Sequence, residues 1–304
     1  MNLQKILDCI YHEMLPVLGR GQVADYIPEL AKVSPRNFGM AVVGIDGSVA
    51  TVGDADVRFS IQSISKLFTL VMALQLEGES VWARYGREPS GTPFNSLVQL
   101  EAESGRPRNP FVNPGAIACT DILCSRYAVP ENAVVEFLRM LCGKPDVHYS
   151  REVALSERRT AFRNAAMANL MKAFGNLRNE VDVVLDAYCR HCAIEMSCVE
   201  LAHAVGFLAN GGRAPHDGRE VLSASLAKRL NALMLTCGTY DVAGDFAFRV
   251  GLPAKSGVGG GIVAVLPREC GICVWSPALE LSGNSLAGSL ALERFTDLTG
   301  RSIF

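Results

Sequence analysis

Apolar residues open the chain at Leu3, Ile6, Leu7, Ile10, Met14 and Leu15, spaced for one face of a helix and interrupted by Lys5, Asp8 and Glu13. Charges inside the run mark a docked amphipathic helix and argue against a secretory leader. From Phe38 the period changes to alternation, and residues 40–52 read as two strands around the tight Asp46-Gly47 turn. The following segment, Phe59 to Leu74, has a polar start, good helix formers and a stop at Gly78, which puts Ser63 in the first turn of a buried helix.

Helical pattern then dominates from Trp82 to Val242, with helices expected over Glu131–Leu141, Glu157–Phe174, Val181–Tyr188 and Ser197–Asn210. Phe246–Pro253, Gly260–Leu266 and Gly271–Ser276 read as three short strands, followed by a closing helix over about Asn284–Leu298. Strands at both ends with helices between them predict an α+β fold: an antiparallel sheet flanked by helices, interrupted by an all-helical lobe. We expect one catalytic domain over residues 1–304, with an α+β lobe at about 1–68 and 243–304 and a helical lobe at about 69–242. The cleft would lie between the lobes, and the lack of a linker tract predicts little relative motion.

The 304 residues are 49% hydrophobic and 20% charged, a globular composition. Lys plus Arg total 29 against 31 Asp plus Glu, with no long single-sign run, so nothing supplies the basic footprint of a nucleic-acid binder. No stretch approaches the ~18 uncharged apolar residues a membrane span needs; the best candidate, Leu67 to Leu76, is about half that and reads as a buried helix. Ten cysteines scattered through apolar runs read as reduced thiols of a cytoplasmic protein. The pairs Cys189/Cys192 and Cys270/Cys273 invite a zinc reading. Three residues apart on a strand point to opposite faces, which disfavours chelation by Cys270 and Cys273, and the helical pair is better explained by packing. No metal or cofactor is expected.

A serine hydroxyl attacks a carbonyl only if a nearby base takes its proton. In Ser63-Ile-Ser-Lys66 the amine lies one helical turn from the hydroxyl. Burial and the positive end of a helix both favour a neutral Lys66 able to accept that proton. The same spacing recurs at Ser225-Leu-Ala-Lys228, among Arg229 and Asn231, where it reads as a capped surface helix. The plainer reading of Ser63 itself is a helix cap beside a solvated lysine. Against it stands the glycine-rich turn Lys255-Ser256-Gly257-Val258-Gly259-Gly260-Gly261. Its small residues allow close backbone approach, and a backbone N–H there, with that of Ser63, would stabilise an oxyanion by roughly 3 kcal/mol each. A bulge or a phosphate loop are the alternatives, the second weakened because a strand follows and the P-loop pattern is unmatched.

An early Ser-x-x-Lys and a late Lys-Ser-Gly resemble the bracket of serine β-lactamases and penicillin-binding enzymes. A closer resemblance, to the glutaminase family on that type of fold, runs through seven ordered blocks. They are Ala24-Asp-Tyr26-Ile-Pro28, Phe59 to Lys66, Pro93-Phe94-Asn95 to Leu100, Arg108 to Ile117, Arg163-Asn164-Ala-Ala, Met196 to Ala202, and Gly251 to Ile262. The resemblance implies hydrolysis of L-glutamine to L-glutamate and ammonia through a glutamyl ester on Ser63. It assigns Lys66 as base, Ser63 and Val258 as oxyanion donors, and Tyr26, Ser63, Asn113, Glu157, Asn164, Tyr188, Tyr240 and Val258 as the substrate pocket. Tyr188 would lie close enough to relay a proton, and a homodimer or homotetramer is implied.

These residue types suit the substrate: an α-ammonium needs a carboxylate such as Glu157, and an α-carboxylate needs amide and phenol donors. Singly, each has a plainer reading. Asn113 would shape a Pro-flanked turn, Glu157 would be a first-turn helix acid, and the tyrosines would be core rings. One departure stands out, Pro114 where the family usually has a small residue; proline removes a donor and pushes Asn113 toward extended backbone. A β-lactamase or peptidoglycan peptidase is the first competing function, though its export signal and Ser-x-Asn or Tyr-x-Asn element are not plain. A glutamine-binding protein without turnover is the second.

Overall fold

The computed structural model describes residues 2–91 and 95–304, so Pro93 and Phe94 of the third block lie outside the described residues. Among the described residues eight strands form: β1 Gly39–Gly44, β2 Val49–Gly53, β3 Phe59–Ser60, β4 His148–Tyr149, β5 Ile194–Met196, β6 Ala254–Ser256, β7 Gly261–Leu266 and β8 Cys270–Trp275. The main sheet runs β2-β1-β8-β7-β6, antiparallel at every pairing. The two ends of the chain therefore share one sheet, with Gly39 opposite Trp275 and Gly44 opposite Cys270. A small antiparallel sheet, β3-β5-β4, stands apart. It meets the main sheet where Phe59 stacks on Trp275, ring centroids 4.9 Å apart.

Alternation sorts the main sheet's side chains onto two faces. Met40, Val42, Ile262, Ala264, Ile272 and Val274 enter a core under the helices Leu3–Met14 and Leu286–Thr299. Ala41, Val43, Val263, Val265, Cys273 and Trp275 face a larger core continuous with the helices of the middle of the chain. Cys270 belongs to the first core and Cys273 to the second, so the two thiols lie on opposite sides of the sheet. Ser225 and Lys228 are both exposed on the helix Ala224–Cys237, which Ser223 caps by accepting from the Leu226 N–H at 3.3 Å. All ten cysteines are free thiols. Among the described residues no helix is long and apolar enough to cross a membrane, and no metal-holding group of His, Cys, Asp or Glu side chains occurs.

Three expectations need correction. Phe246–Pro253 is not a strand: Ala243–Arg249 is helical, and the strand begins at Ala254. Phe246 and Val250 are 3% and 1% exposed while Phe248 is 90% exposed, a burial spacing of four that a strand does not give. The expected helix Glu157–Phe174 is two helices, Arg151–Thr160 and Phe162–Ala173, parted at Ala161 with ψ 23°. Ser197–Asn210 divides likewise into Cys198–Ala204 and Gly206–Ala209, the first closed by a reciprocal cap between Ser197 and Glu200.

Candidate active site

Ser63 sits in a single 3₁₀ turn, Gln62–Ile64, that leads straight into the helix Ser65–Glu77. The turn is tied to the small sheet by the Ile61 N–H, which donates to the Ile194 carbonyl at 2.8 Å. Ser63 and Lys66 are 8% and 1% exposed, so the reading of a capping serine beside a solvated lysine does not hold. The Lys66 ammonium donates to Asn113 Oδ1 at 2.6 Å and to the Phe111 carbonyl at 3.2 Å. Burial lowers its pKa to about 8, against an upward pull from the charges of Cys192 and Glu157.

Asn113 in turn donates from Nδ2 to Asn164 Oδ1 at 2.9 Å. It is not the turn residue that Pro114 suggested: it is the first residue of the buried helix Asn113–Cys124, and the extended residue is Val112, φ −72° and ψ 155°. Pro114 falls in that helix's opening turn, where an N–H has no intrahelical acceptor, so its missing donor is not needed for the helix.

Glu157 is likewise no first-turn acid. It lies in the last turn of Arg151–Thr160, where the helix dipole disfavours an anion, and it is buried. Burial raises its pKa to about 7, opposed by hydrogen bonds from Cys192 and Gln62 and by the charge on Lys66. Tyr188 and Cys192 lie one turn apart on Val181–Cys192, and burial pushes both their pKa values well up.

The glycine-rich turn reaches this loop. A Cβ on Gly257 would stand 2.4 Å from the Ile61 carbonyl oxygen and 3.3 Å from the Ser63 nitrogen; one on Gly259 would stand 2.2 Å from the Ser60 carbonyl oxygen. Only glycine permits that approach of backbone to backbone. The turn is closed by the Gly260 N–H donating to the Gly257 carbonyl at 2.9 Å and anchored by the Trp275 indole donating to Gly259 O at 3.0 Å.

Between these parts lies a cavity of about 260 Å³. Tyr26, Ser63, Asn113, Glu157, Asn164, Tyr188 and Val258 all line it. Lys66 and Tyr240 do not appear in its lining: Lys66 reaches it through Asn113, and Tyr240 packs with Val258 beside it. Tyr240 holds φ +60° and interacts with the Ser63 side chain, while the Lys255 ammonium lies 5.0 Å from its ring centroid. Gln62, Asn95, Thr160, Arg163 and Cys192 also line the cavity, and residue-by-residue sequence reasoning did not assign them to it. Their types carry no signal of their own; Gln62, Asn95 and Arg163 fall inside the family-like blocks, and Cys192 lies one helical turn from Tyr188.

An α+β chain that surrounds one small polar cavity with a buried serine, amine and carboxylate defines an enzyme acting on a small polar molecule. Comparison with known proteins gives the family. The sequence model of the Glutaminase family matches residues 21–304. A glutaminase of Ralstonia nicotianae is 64% identical over 304 residues, covering all of both chains, and one of Paraburkholderia phytofirmans is 60% identical over the same span. Among solved structures, a probable glutaminase, YbaS, superposes with TM-score 0.94 at 39% identity, covering 99% of this chain and 98% of that one. A probable glutaminase of Bacillus subtilis, solved in complex with 6-diazo-5-oxo-L-norleucine, gives 0.89 at 34% identity, covering 100% and 97%. The chain belongs to the glutaminase family and is an enzyme of that family.

Proposed function

We propose that this enzyme hydrolyses L-glutamine to L-glutamate and ammonia through a glutamyl ester on Ser63. The observation that carries the reading is the company Ser63 keeps: a buried amine of lowered pKa on the next helical turn, and a glycine turn pressed against its own backbone nitrogen. With a pKa of about 8, Lys66 is neutral in roughly one molecule in ten at pH 7, at a cost of about 1.4 kcal/mol. Neutral Lys66 takes the Ser63 proton as Oγ attacks the side-chain carbonyl carbon. The carbonyl oxygen becomes the oxyanion, accepting from the Ser63 and Val258 N–H groups. Collapse breaks the C–N bond, and the leaving nitrogen takes the proton from Lys66, with Tyr188 as relay, and departs as ammonia. Water, deprotonated by the same amine, then hydrolyses the ester and restores Ser63.

Glu157 pairs with the α-ammonium, and its position in a helix's last turn is otherwise unfavourable. Asn164, whose carbonyl oxygen is occupied by Asn113, presents its amide hydrogens to the α-carboxylate together with the phenol of Tyr26, while Tyr240 meets the substrate from beside Ser63. The Bacillus relative's bound ligand, an amino acid with a reactive carbonyl in its side chain, has the same two ends. We further read the chain as one catalytic unit of β-lactamase-like type, its helical lobe at about 69–242 inserted between the parts of the sheet. A cytoplasmic location suits ten free thiols, and exposed Phe162 and Phe304 offer apolar surface for a homodimer or homotetramer.

Ammonia release measured on glutamine, asparagine and glutathione tests the substrate, with turnover expected on glutamine alone. Ser63→Ala is expected to abolish that release and leave the thermal melt unchanged. Near-normal turnover in the variant would remove Ser63 as nucleophile.

A further inference from the structure

Gln62 has no part in the chemistry above, yet it is held under more constraint than its neighbours. Its φ is +48°, in the left-handed region that a residue with a Cβ occupies only when its surroundings impose it. It is not a loop tip: it opens the turn that carries Ser63 and is 2% exposed. Its side-chain amide spends both hydrogens, one on Ser60 Oγ at 3.0 Å and one on Glu157 Oε2 at 3.3 Å. Ser60 Oγ passes its own hydrogen to the Cys192 carbonyl at 2.9 Å, at the end of the helix that bears Tyr188. On its other side the Gln62 stem faces the glycine turn, where a Cβ on Gly259 would lie 3.5 Å from Gln62 Cγ.

We propose that Gln62 is a positioning residue: its amide locks the left-handed turn that presents Ser63 and, by the same pair of hydrogen bonds, holds the Glu157 carboxylate in place for the substrate's ammonium. Recognition of the amino-acid end and placement of the nucleophile are thereby joined through one side chain. The inference rests on the proposed roles of Ser63 and Glu157. It also accounts for the residue type. A buried carboxylate with few partners needs a donor that carries no positive charge, because a cation there would compete with the substrate's own. Glutamine supplies that donor, and glutamate in its place would turn an acceptor toward Glu157.

Four variants compared with the wild-type enzyme test this: Gln62→Glu, Gln62→Gly, Glu157→Gln, and the exchange Gln62→Glu with Glu157→Gln. Each is checked for folding by its thermal melt. KM, kcat and the pH profile are measured with glutamine. The rate of inactivation by phenylmethanesulfonyl fluoride, which has no ammonium, reads the nucleophile alone. Gln62→Glu is expected to raise KM about tenfold and move the acid limb of kcat/KM to higher pH, since two facing carboxylates hold a proton. Gln62→Gly permits the backbone angle without enforcing it, so kcat and the inactivation rate are both expected to fall about tenfold. The exchange variant restores a donor opposite an acceptor, and is expected to return the acid limb toward its wild-type position but not to regain the KM. A raised KM in Glu157→Gln with wild-type KM, kcat, pH profile and inactivation rate in Gln62→Gly and in every folded Gln62→Glu variant would overturn the role of Gln62 alone. An unchanged KM in Glu157→Gln would instead overturn the underlying assignment of Glu157.

Discussion

Replacing Glu157 by glutamine should change the shape of the pH profile as well as the affinity, because in the proposed mechanism the carboxylate and Lys66 are both required groups, and burial has moved both toward neutrality. Burial raises Glu157 to about 7 and lowers Lys66 to about 8. In that mechanism the free enzyme is competent when Glu157 is ionised and Lys66 is neutral, so kcat/KM would follow the product of the two fractions. Each group must lose a proton, so activity falls as the medium becomes more acidic. With these values the product drops about 500-fold between pH 8 and pH 6, and the limb steepens from one proton toward two below pH 7. Glu157→Gln deletes one proton from the profile. It also removes a negative charge that holds the Lys66 pKa up, so the remaining limb moves to lower pH. The variant should therefore lose about 50-fold or less over the same interval, from a plateau lowered by about 2 kcal/mol, or some thirtyfold, for the missing ammonium contact. Ammonia quantified at fixed times in buffers of constant ionic strength reads both effects. A limb as steep as that of the wild type, or one displaced to higher pH, would refute the electrostatic coupling of the two groups.

Gly259→Ala drives a Cβ to 2.2 Å from the Ser60 carbonyl oxygen, a backbone contact that cannot yield, so the turn must withdraw; kcat is expected to fall 10²–10³-fold with KM little changed. Retained kcat would show that the turn does not serve the reacting oxygen. Phe246→Ala should cost about 3–5 kcal/mol in urea unfolding and Phe248→Ala less than about 0.5, since the first ring is buried against the sheet and the second is in solvent. Comparable losses at both positions would contradict the helical register. Pro114→Ala should leave KM within about twofold, because the N–H it adds falls in a helix's opening turn, where it has no intrahelical acceptor; a large gain in affinity would show that substrate binding uses that donor.

The sheet is legible in the sequence where local pattern and pairing agree. Residues 261–275 alternate and fold back on themselves, and Asp46-Gly47 fixes the first hairpin, so strand and turn rules point the same way. The run from Phe246 is ambiguous because apolar residues at 246, 248, 250 and 252 satisfy a strand as well as a helix, and the fate of Phe248 depends on a sheet face that is assembled from both ends of the chain. Ala161 carries no breaking signal, so the parting of two helices there is invisible locally, yet it sets where Glu157 ends its helix.

The candidate site shows the same division. Ser63 and Lys66 are visible because they lie three residues apart on a local turn that runs straight into a helix, a spacing that puts them on one side of the segment whatever the tertiary fold. Asn113, Glu157, Asn164, Tyr188 and Val258 come from five separate segments, and no periodicity ties them to Ser63; resemblance gathered them where residue chemistry alone left a plainer reading for each. What the sequence conceals is burial. The chemistry proposed for Lys66 and Glu157 depends on one condition, removal from water, which pushes an amine down and a carboxylate up until both titrate near neutrality. That condition is created by the packing of the middle helices against the nucleophile turn and by the glycines that let the 257–260 backbone close over it. Gln62 belongs to the same concealed class: its left-handed backbone is imposed by the surroundings, and a glutamine beside a serine announces nothing until the carboxylate it holds comes into view.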